Sequence, residues 1–440
     1  MPESPDFSAA ARREAHWRRV WQSRTWPAWA WWPLAQVHGG LVRLRRLAYA
    51  TGLVRSERVA CPVLVIGNVL VGGAGKTPTT LALVQHLQAR SVRVGVVSRG
   101  HGREGHAQAA LAVMPSSDAR QVGDEPLLIH LRTGAPVFVA RQRAAAARAL
   151  LAAHPDTQLI VCDDGLQHLA LARDLQLCVF DERGVGNGWL LPAGPLREPW
   201  PVAVDWALQI HDAGRSPRPL PPSAAPVFAA TRQLAHHALD ARGRRVPLAA
   251  LGQRAVVAFA GIAKPEVFFA ALRAQGLVPA REIGLGDHGN ADEHAELAAL
   301  LRQGVHEAAA APKPPLRAAA GHPGEPGLHQ AARTETVMDT DTSARDAQPL
   351  DARDAPPGGD LVGGVGNPEY SSNLVFSTTE IDPYSSSPDS EAPILLCTEK
   401  DAVKLWPRYP QVLAVPLQLS LPAELLAAVD ARVDALMRRG

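Results

Sequence analysis

A chain of 440 residues that is 46% hydrophobic and 20% charged can bury a large core and predicts two domains with appendages. Its formal net charge of +2 is too small to argue for a nucleic-acid partner. The four cysteines, Cys61, Cys162, Cys178 and Cys397, form no C-x-x-C pair and mostly lie in apolar runs, which argues against zinc or disulfides and for small core residues in a reducing compartment.

The first stretch of the chain departs from the average. Residues 1–60 hold six of the ten tryptophans, at Trp17, Trp21, Trp26, Trp29, Trp31 and Trp32, and ten arginines against four acidic residues, a balance of +6. No small-residue cleavage site follows the apolar part and positive residues flank it on both sides, unlike a signal peptide. The charge-free run 25–42 contains two prolines and two glycines, which makes a poor spanning helix. Tryptophan and arginine on one amphipathic segment suit a lipid headgroup layer, where indoles take the interface and guanidinium groups meet phosphate. The competing reading is a helix pinned to the protein's own surface by its tryptophans.

From Pro62 the chain alternates apolar strands with helical patterns: "VLVIGNV", "TPTTLALVQHLQAR", "VRVGVVSR", "PVFVA", "RQRAAAARALLAAH", "QLIVCDD" and "LQLCVFD". Apolar strands separated by helices imply a mostly parallel sheet covered on both faces. A second series follows, with "AVVAFAGIA", the helix "PEVFFAALRAQG", a helix at 292–303, "PILLCTEKD", "VLAVPLQLSL" and a final amphipathic helix from Pro422. The expected organisation is an N-terminal Trp/Arg segment at 1–60, a first α/β domain at 61–212, and a smaller second α/β lobe at 213–440. Between about 308 and 391 the apolar periodicity stops, and the composition predicts a disordered insertion within the second lobe.

The turn after the first strand reads "VLVGGAGKTP". A phosphate cradle needs small residues whose amides turn inward, a lysine for the β- and γ-phosphates, and a hydroxyl for magnesium. Gly72, Gly73, Ala74 and Gly75 supply the first, Lys76 the second and Thr77 the third, with Pro78 next in the helix. Leu70 stands where G-x-x-x-x-G-K-[ST] begins with glycine, so the loop is a variant. The fold class expected is therefore a P-loop NTPase-like α/β sheet, with an ordinary glycine turn before a helix as the competing reading.

Acidic residues at strand ends come next. Asp163 and Asp164 follow the apolar "QLIVC", where an open parallel sheet presents ligands; they hold magnesium or cap the next helix. His168, a step further on, taken alone is a structural hydrogen-bonder. Asp124 and Glu125 in "VGDEP" either cap a helix or serve the chemistry. Asp287 and His288 end a strand of the second lobe, and an acceptor hydroxyl needs a carboxylate partnered by histidine to take its proton. Arg197 and Glu198 in "LREP" offer a phosphate ligand and a further metal ligand.

"VGGAGKTP", "SRGHGR", "VGDEP", "DDGLQH", "GNGWLLPAGPLREP", "AFAGIAKPEVFF", the "DH" at 287–288 and "TEKDAVK" occur in an order that resembles the tetraacyldisaccharide 4'-kinases of lipid A biosynthesis. The resemblance runs through the whole chain except the insertion, and "DDGLQH" with "LPAGPLREP" is its most specific part. It implies transfer of the γ-phosphoryl group of ATP, with Mg2+, to the 4'-hydroxyl of an acylated glucosamine disaccharide 1-phosphate, giving lipid IVA. It also implies a peripheral enzyme on the cytoplasmic face of the bacterial inner membrane. In that scheme Lys76 stabilises the migrating group, while Thr77, Asp163, Asp164 and Glu198 organise magnesium. Asp124 takes the sugar proton with His288 as partner, and Glu125, Arg143, His168 and Arg197 face the substrate, Arg143 its 1-phosphate. Three features depart from the family pattern: Leu70, Gly289 after His288, and the length of the insertion. A rival reading is a membrane-associated P-loop nucleotide switch, but "TEKD" at 398–401 has Glu399 where a guanine-reading motif needs lysine. A lipid-binding scaffold with a dead nucleotide site is opposed by the presence of Lys76, Thr77 and the aspartates.

Overall fold

The computed structural model describes residues 6–7, 17, 19–100, 109–285, 289, 291, 294–310 and 392–438. The expected insertion beyond residue 310, and Asp287 and His288, lie outside them. In the first half the strands are β1 (Asp6–Phe7), β2 (Val63–Gly67), β3 (Val94–Ser98), β4 (Leu111–Val113), β5 (Val137–Val139), β6 (Leu159–Asp163), β7 (Leu175–Phe180) and β8 (Trp206–Asp212). Then come β9 (Val227–Leu234), β10 (His237–Leu239), β11 (Arg245–Pro247), β12 (Val256–Ala260), β13 (Arg281–Gly284), β14 (Ile394–Thr398), β15 (Leu413–Val415) and β16 (Leu417–Ser420). The longer helices are α1 (Trp26–Ala50), α2 (Lys76–Ala89), α3 (Asp124–Thr133), α4 (Arg143–Ala153), α5 (Pro265–Ala274), α6 (Ala295–Ala310), α7 (Glu399–Leu405) and α8 (Ala423–Met437).

One sheet runs β16-β9-β8-β7-β2-β6-β3-β5-β4, parallel from β9 to β5 and antiparallel at both edges. All five residues of β2, β3 and β6 are buried, as the continuous apolar runs require of strands covered on both faces. Because side chains alternate, Leu64 and Ile66 join α2, α3 and α8 in one core, while Val63 and Val65 join α4 in the other. The chain leaves β2 toward β3, β5 and β6 on one side and then crosses to β7, β8 and β9 on the other. The crevice of such a sheet opens where that order reverses, past the end of β2.

The second sheet runs β1-β13-β12-β14-β15-β10-β11, with a core that includes Phe259, Ile283, Leu297, Leu301 and Leu395. Sheet membership departs from a simple division at 212. β9 lies past that point yet pairs with β8, and β16 returns to pair with β9. Leu425, Val429 and Val433 of α8 sit in the core under α2, whose His86 and Arg90 meet Asp430. All four cysteines are buried and free.

Helix α1 buries only Ala28, Ala35 and Gly39. At Gly39 the approach is close: a Cβ there would lie 2.7 Å from Leu190 Cδ1, and that side chain would have to move. Outward it turns Trp26, which is 80% exposed, together with Trp29, Leu34, Val37, Leu41, Leu44 and Leu47. No helix among the described residues is long and apolar enough to cross a membrane.

Candidate active site

The loop between β2 and α2 needs glycine at two points, since Gly72 and Gly75 hold φ of 91° and 84°, which other residues adopt only with strain. Gly75 caps α2, so the amides that open the helix at Lys76 and Thr77 point into the loop. Pro78 has no amide to offer and is tolerated in the first turn. Ala74 is fully buried, and so is Leu70, which bridges to Leu196 in the core. Leucine at the loop's first position is thus a packing residue that pins the loop to the 187–198 segment.

Lys76 Nζ lies 3.4 Å from Asn68 Oδ1 and 3.5 Å from Asp164 Oδ1. Asp163, at the end of β6 and opposite Ile66 in register, is fully buried. One of its oxygens accepts from Thr80 Oγ1 at 2.8 Å, and the other, Oδ2, is buried without a hydrogen-bond partner among the described residues. Burial, followed by the charges of Glu125 and Asp164, pushes the Asp163 carboxyl well above the usual range. Burial also works against Asp164, but Lys76, Arg197 and Arg143 together outweigh it and hold that carboxyl low. Asp164 has a φ of +50°, a left-handed backbone that an aspartate keeps only where its surroundings impose it.

Arg143 is part of what imposes it. Its guanidinium is buried and donates to the carbonyl of Asp164 at 3.1 Å and to that of Arg141 at 3.4 Å. The expected 1-phosphate ligand is therefore turned inward onto backbone. His168 accepts from the Arg143 amide at 3.2 Å, filling an open donor at the start of α4. Burial and then the nearby arginines 143, 173, 45 and 99 push its pKa down to about 4, so the ring is neutral. Arg197 Nη1 is 3.8 Å from Asp164 Oδ1. Glu198, expected as a metal ligand, is buried and ion-paired with Arg46 of α1 instead. The physical reason is charge: a buried carboxylate takes the nearest cation, and α1 delivers one.

Asp124 opens α3, is buried, and accepts from the Glu125 amide at 2.9 Å. From the second sheet, Lys400 Nζ comes within 3.9 Å of Asp124 Oδ2 and 3.4 Å of Glu125 Oε1. Of the four residues of "TEKD", Glu399 and Lys400 reach across to α3, while Thr398 and Asp401 hold α7 in the second lobe. Thr398 caps α7, Glu399 pairs with Arg132 of α3, Lys400 meets the acidic pair, and Asp401 accepts from the Gly261 amide at 2.8 Å. Asp124, Lys76 and the Asp163/Asp164 pair thus stand at one end of the first sheet. Sequence reasoning missed Asn68, Thr80 and Lys400. The signal for the first two was their place beside the loop; Lys400 had none short of the fold.

A glycine cradle closed by a lysine, beside carboxylates on the next strand end, makes this a phosphate-loop protein of the α/β class. The model of the tetraacyldisaccharide-1-P 4'-kinase family matches residues 27–309, and the chain belongs to that family. A tetraacyldisaccharide 4'-kinase of Acidovorax ebreus is 44% identical over 96% of this chain and 96% of its own. One of Polaromonas naphthalenivorans is 54% identical over 61% of this chain and 77% of its own. In fold, the crystal structure of LpxK from Aquifex aeolicus in complex with ATP superposes with a TM-score of 0.62 at 20% identity, covering 93% of this chain and 99% of that one. The chain is accordingly an enzyme, a kinase.

Proposed function

We propose that this chain performs its family's reaction, ATP-dependent phosphorylation of the 4'-hydroxyl of the tetraacyldisaccharide 1-phosphate precursor of lipid A, with the following division of roles. The triphosphate of ATP lies in the 72–77 loop, against the amides that open α2. Lys76, steered by Asn68 and Asp164, neutralises the migrating phosphoryl group. Asp124 accepts the proton of the sugar hydroxyl, with Lys400 and Glu125 setting its surroundings and His288 as its proposed partner. The supporting observation is the convergence of Lys76 on Asp164 at 3.5 Å beside a helix N-terminus that offers open amides.

The donor set suits magnesium. Asp163 has a buried oxygen without a hydrogen bond, Thr77 brings a hydroxyl, and among the described residues no group of three or more His, Cys, Asp or Glu is placed to hold a metal ion by itself. That is the pattern of an ion shared with phosphates and water rather than caged by protein. When bound, Mg2+ neutralises charge on the β- and γ-phosphates. Arg143 and His168 act as positioning residues for Asp164 and α4, and Arg197 steers Asp164. Replacing Lys76 or Asp164 by alanine lowers kcat by roughly 1,000-fold with the fold intact, as judged by melting and steady-state assay. Near-normal turnover in either variant sinks the scheme.

The acceptor carries four acyl chains, and α1 faces outward with its large apolar side chains. We place α1 on the headgroup layer of the cytoplasmic face of the inner membrane, with its inner face docked beside the cleft. The two sheets serve as a nucleotide lobe and a smaller lobe that closes its mouth.

A further inference from the structure

The end of β7 carries a charge cluster outside the site described so far. Asp181 is fully buried, and both of its oxygens accept from Arg183 Nε, at 2.9 and 2.7 Å. Lys264, which precedes α5 of the second sheet, donates to Asp181 at 3.3 Å and also to Glu182. Arg232 pairs with Asp212 at 2.6 Å and reaches Glu182 at 3.5 Å. Three acids and three bases balance, so the cluster needs no further cation.

Arg183 is not used up by this pairing. Its Nε is held by Asp181, and neither Nη group has a protein partner among the described residues. Nη2 lies 4.0 Å from the position a Cβ would take on Gly72. At the next residue of the loop, a Cβ on Gly73 would stand 3.7 Å from Ala263 Cβ, next to Lys264 in the chain. Gly72 is four residues before Lys76, on the rim of the loop away from the α2 amides. Whatever stands beside Gly72 stands beside the terminal phosphate of a nucleotide whose inner phosphates meet those amides.

We propose that Arg183 is a catalytic arginine of this kinase, supplied by the chain itself, that donates to the γ-phosphoryl oxygens and the β–γ bridging oxygen during transfer. The inference rests on the 72–77 loop holding the triphosphate. In the step, the bond between the γ-phosphorus and the bridging oxygen breaks and a bond to the sugar 4'-oxygen forms. The hydroxyl proton passes to Asp124, and ADP leaves with the added negative charge on its β-phosphate. A guanidinium is permanently charged and presents paired donors, which suits the oxygens on which that charge gathers. Its anchor explains why it is pre-aimed: Asp181 fixes Nε, so the outer nitrogens enter the transition state without reordering.

The test compares Arg183→Ala and Arg183→Gln with the unchanged enzyme in melting, in steady-state kinetics, and in affinity for ADP·Mg2+ with and without aluminium fluoride. Glutamine keeps a donor for Asp181 and guards against misfolding of the alanine variant. Expected are a fall in kcat of about 100-fold or more, little change in KM for ATP, and loss of the extra affinity that aluminium fluoride adds to ADP. Affinity for ADP alone stays within about threefold. A folded variant with kcat within about threefold of the parent overturns the proposal. So does an equal loss of ADP affinity with and without the fluoride, which would make Arg183 a scaffold of the loop. Lys76→Ala, run in parallel, separates the two readings: if it leaves both kcat and ATP affinity near those of the parent, the loop assignment itself has failed.

Discussion

Helices α1 and α8 are both rich in alanine and leucine, and they face opposite ways. α8 buries Leu425, Val429 and Val433 at four-residue intervals and keeps its charges at the rim, where Asp430 and Asp434 pair with α2, as a helix on a globular core does. α1 buries Ala28, Ala35 and Gly39 and leaves its tryptophans and leucines outside. Small residues bring α1 close to the 187–198 segment. Trp21 Nε1 donates to the Pro192 carbonyl, His38 meets the Arg197 carbonyl, and Trp29 stacks edge-on against Trp189. The comparison shows that apolar content alone does not say what a helix packs against. Its small residues mark the protein side, and its large ones mark what lies beyond.

The largest contrast is in stability. Val429→Asp buries a charge in the core under α2 and lowers unfolding free energy by about 4 kcal/mol, whereas Leu44→Asp, on an exposed position, changes it by less than about 0.5 kcal/mol. Urea unfolding of the two variants measures it. Equal losses would mean that the outer face of α1 is covered by protein. Vesicle binding inverts the order. Replacing Trp26, Leu41 and Leu44 together by serine lowers affinity for anionic lipid vesicles by about tenfold or more, with melting unchanged, while Val429→Ala leaves vesicle binding alone. Those three side chains are preferable to the whole tryptophan set, because Trp29 and Trp31 also stack on other rings of the protein. Sedimentation with vesicles that shows no loss removes the membrane reading.

A smaller effect tests the inner face. Arg46→Ala leaves the Glu198 carboxylate buried without its cation and costs about 1–2 kcal/mol. Arg46→Lys recovers part of it. If Glu198 serves to seat α1, KM for bilayer-borne acceptor rises in Arg46→Ala while KM for ATP holds. A matching rise in KM for ATP would return Glu198 to the metal site.

Much of the nucleotide lobe was legible because its signals are local. Five-residue apolar runs, a glycine turn and a Lys-Thr pair lie within a few residues of one another, and β2, α2 and the Asp163 strand follow from them. The partners of Glu198 and Asp124 were not legible. Ten arginines precede residue 60, and nothing in the sequence singles out Arg46. Lys400 reaches Asp124 only because β14 and α7 set the second sheet against α3. The return of β16 and α8 to the first sheet was hidden for the same reason, since strand pairing across nearly 200 residues leaves no mark in either segment. What Arg143 holds was not legible either: the sequence shows an arginine near an acidic pair, and only the fold shows it buried and donating to backbone carbonyls.

The smallest expected effect lies where the inner end of α1 meets the site. His168 is held neutral by burial first and then by Arg143, Arg173, Arg45 and Arg99, with its folded pKa pushed down from 6.5 to about 4. Between those values the unfolded chain binds a proton that the folded chain refuses. The stabilisation from a neutral His168 is therefore fully present above pH 6.5 and is lost as pH falls toward 4. His168→Gln keeps an acceptor for the Arg143 amide and does not titrate. The stability difference between parent and His168→Gln should favour the parent most at neutral pH and shrink, or reverse, toward pH 5. Arg45→Ala should flatten that pH dependence slightly, because burial remains the main cause. Urea midpoints at pH 7.5 and pH 5 for the three proteins decide it. A parent-minus-variant difference that does not change with pH means that His168 titrates normally and that α1 brings no charge to bear on the cleft.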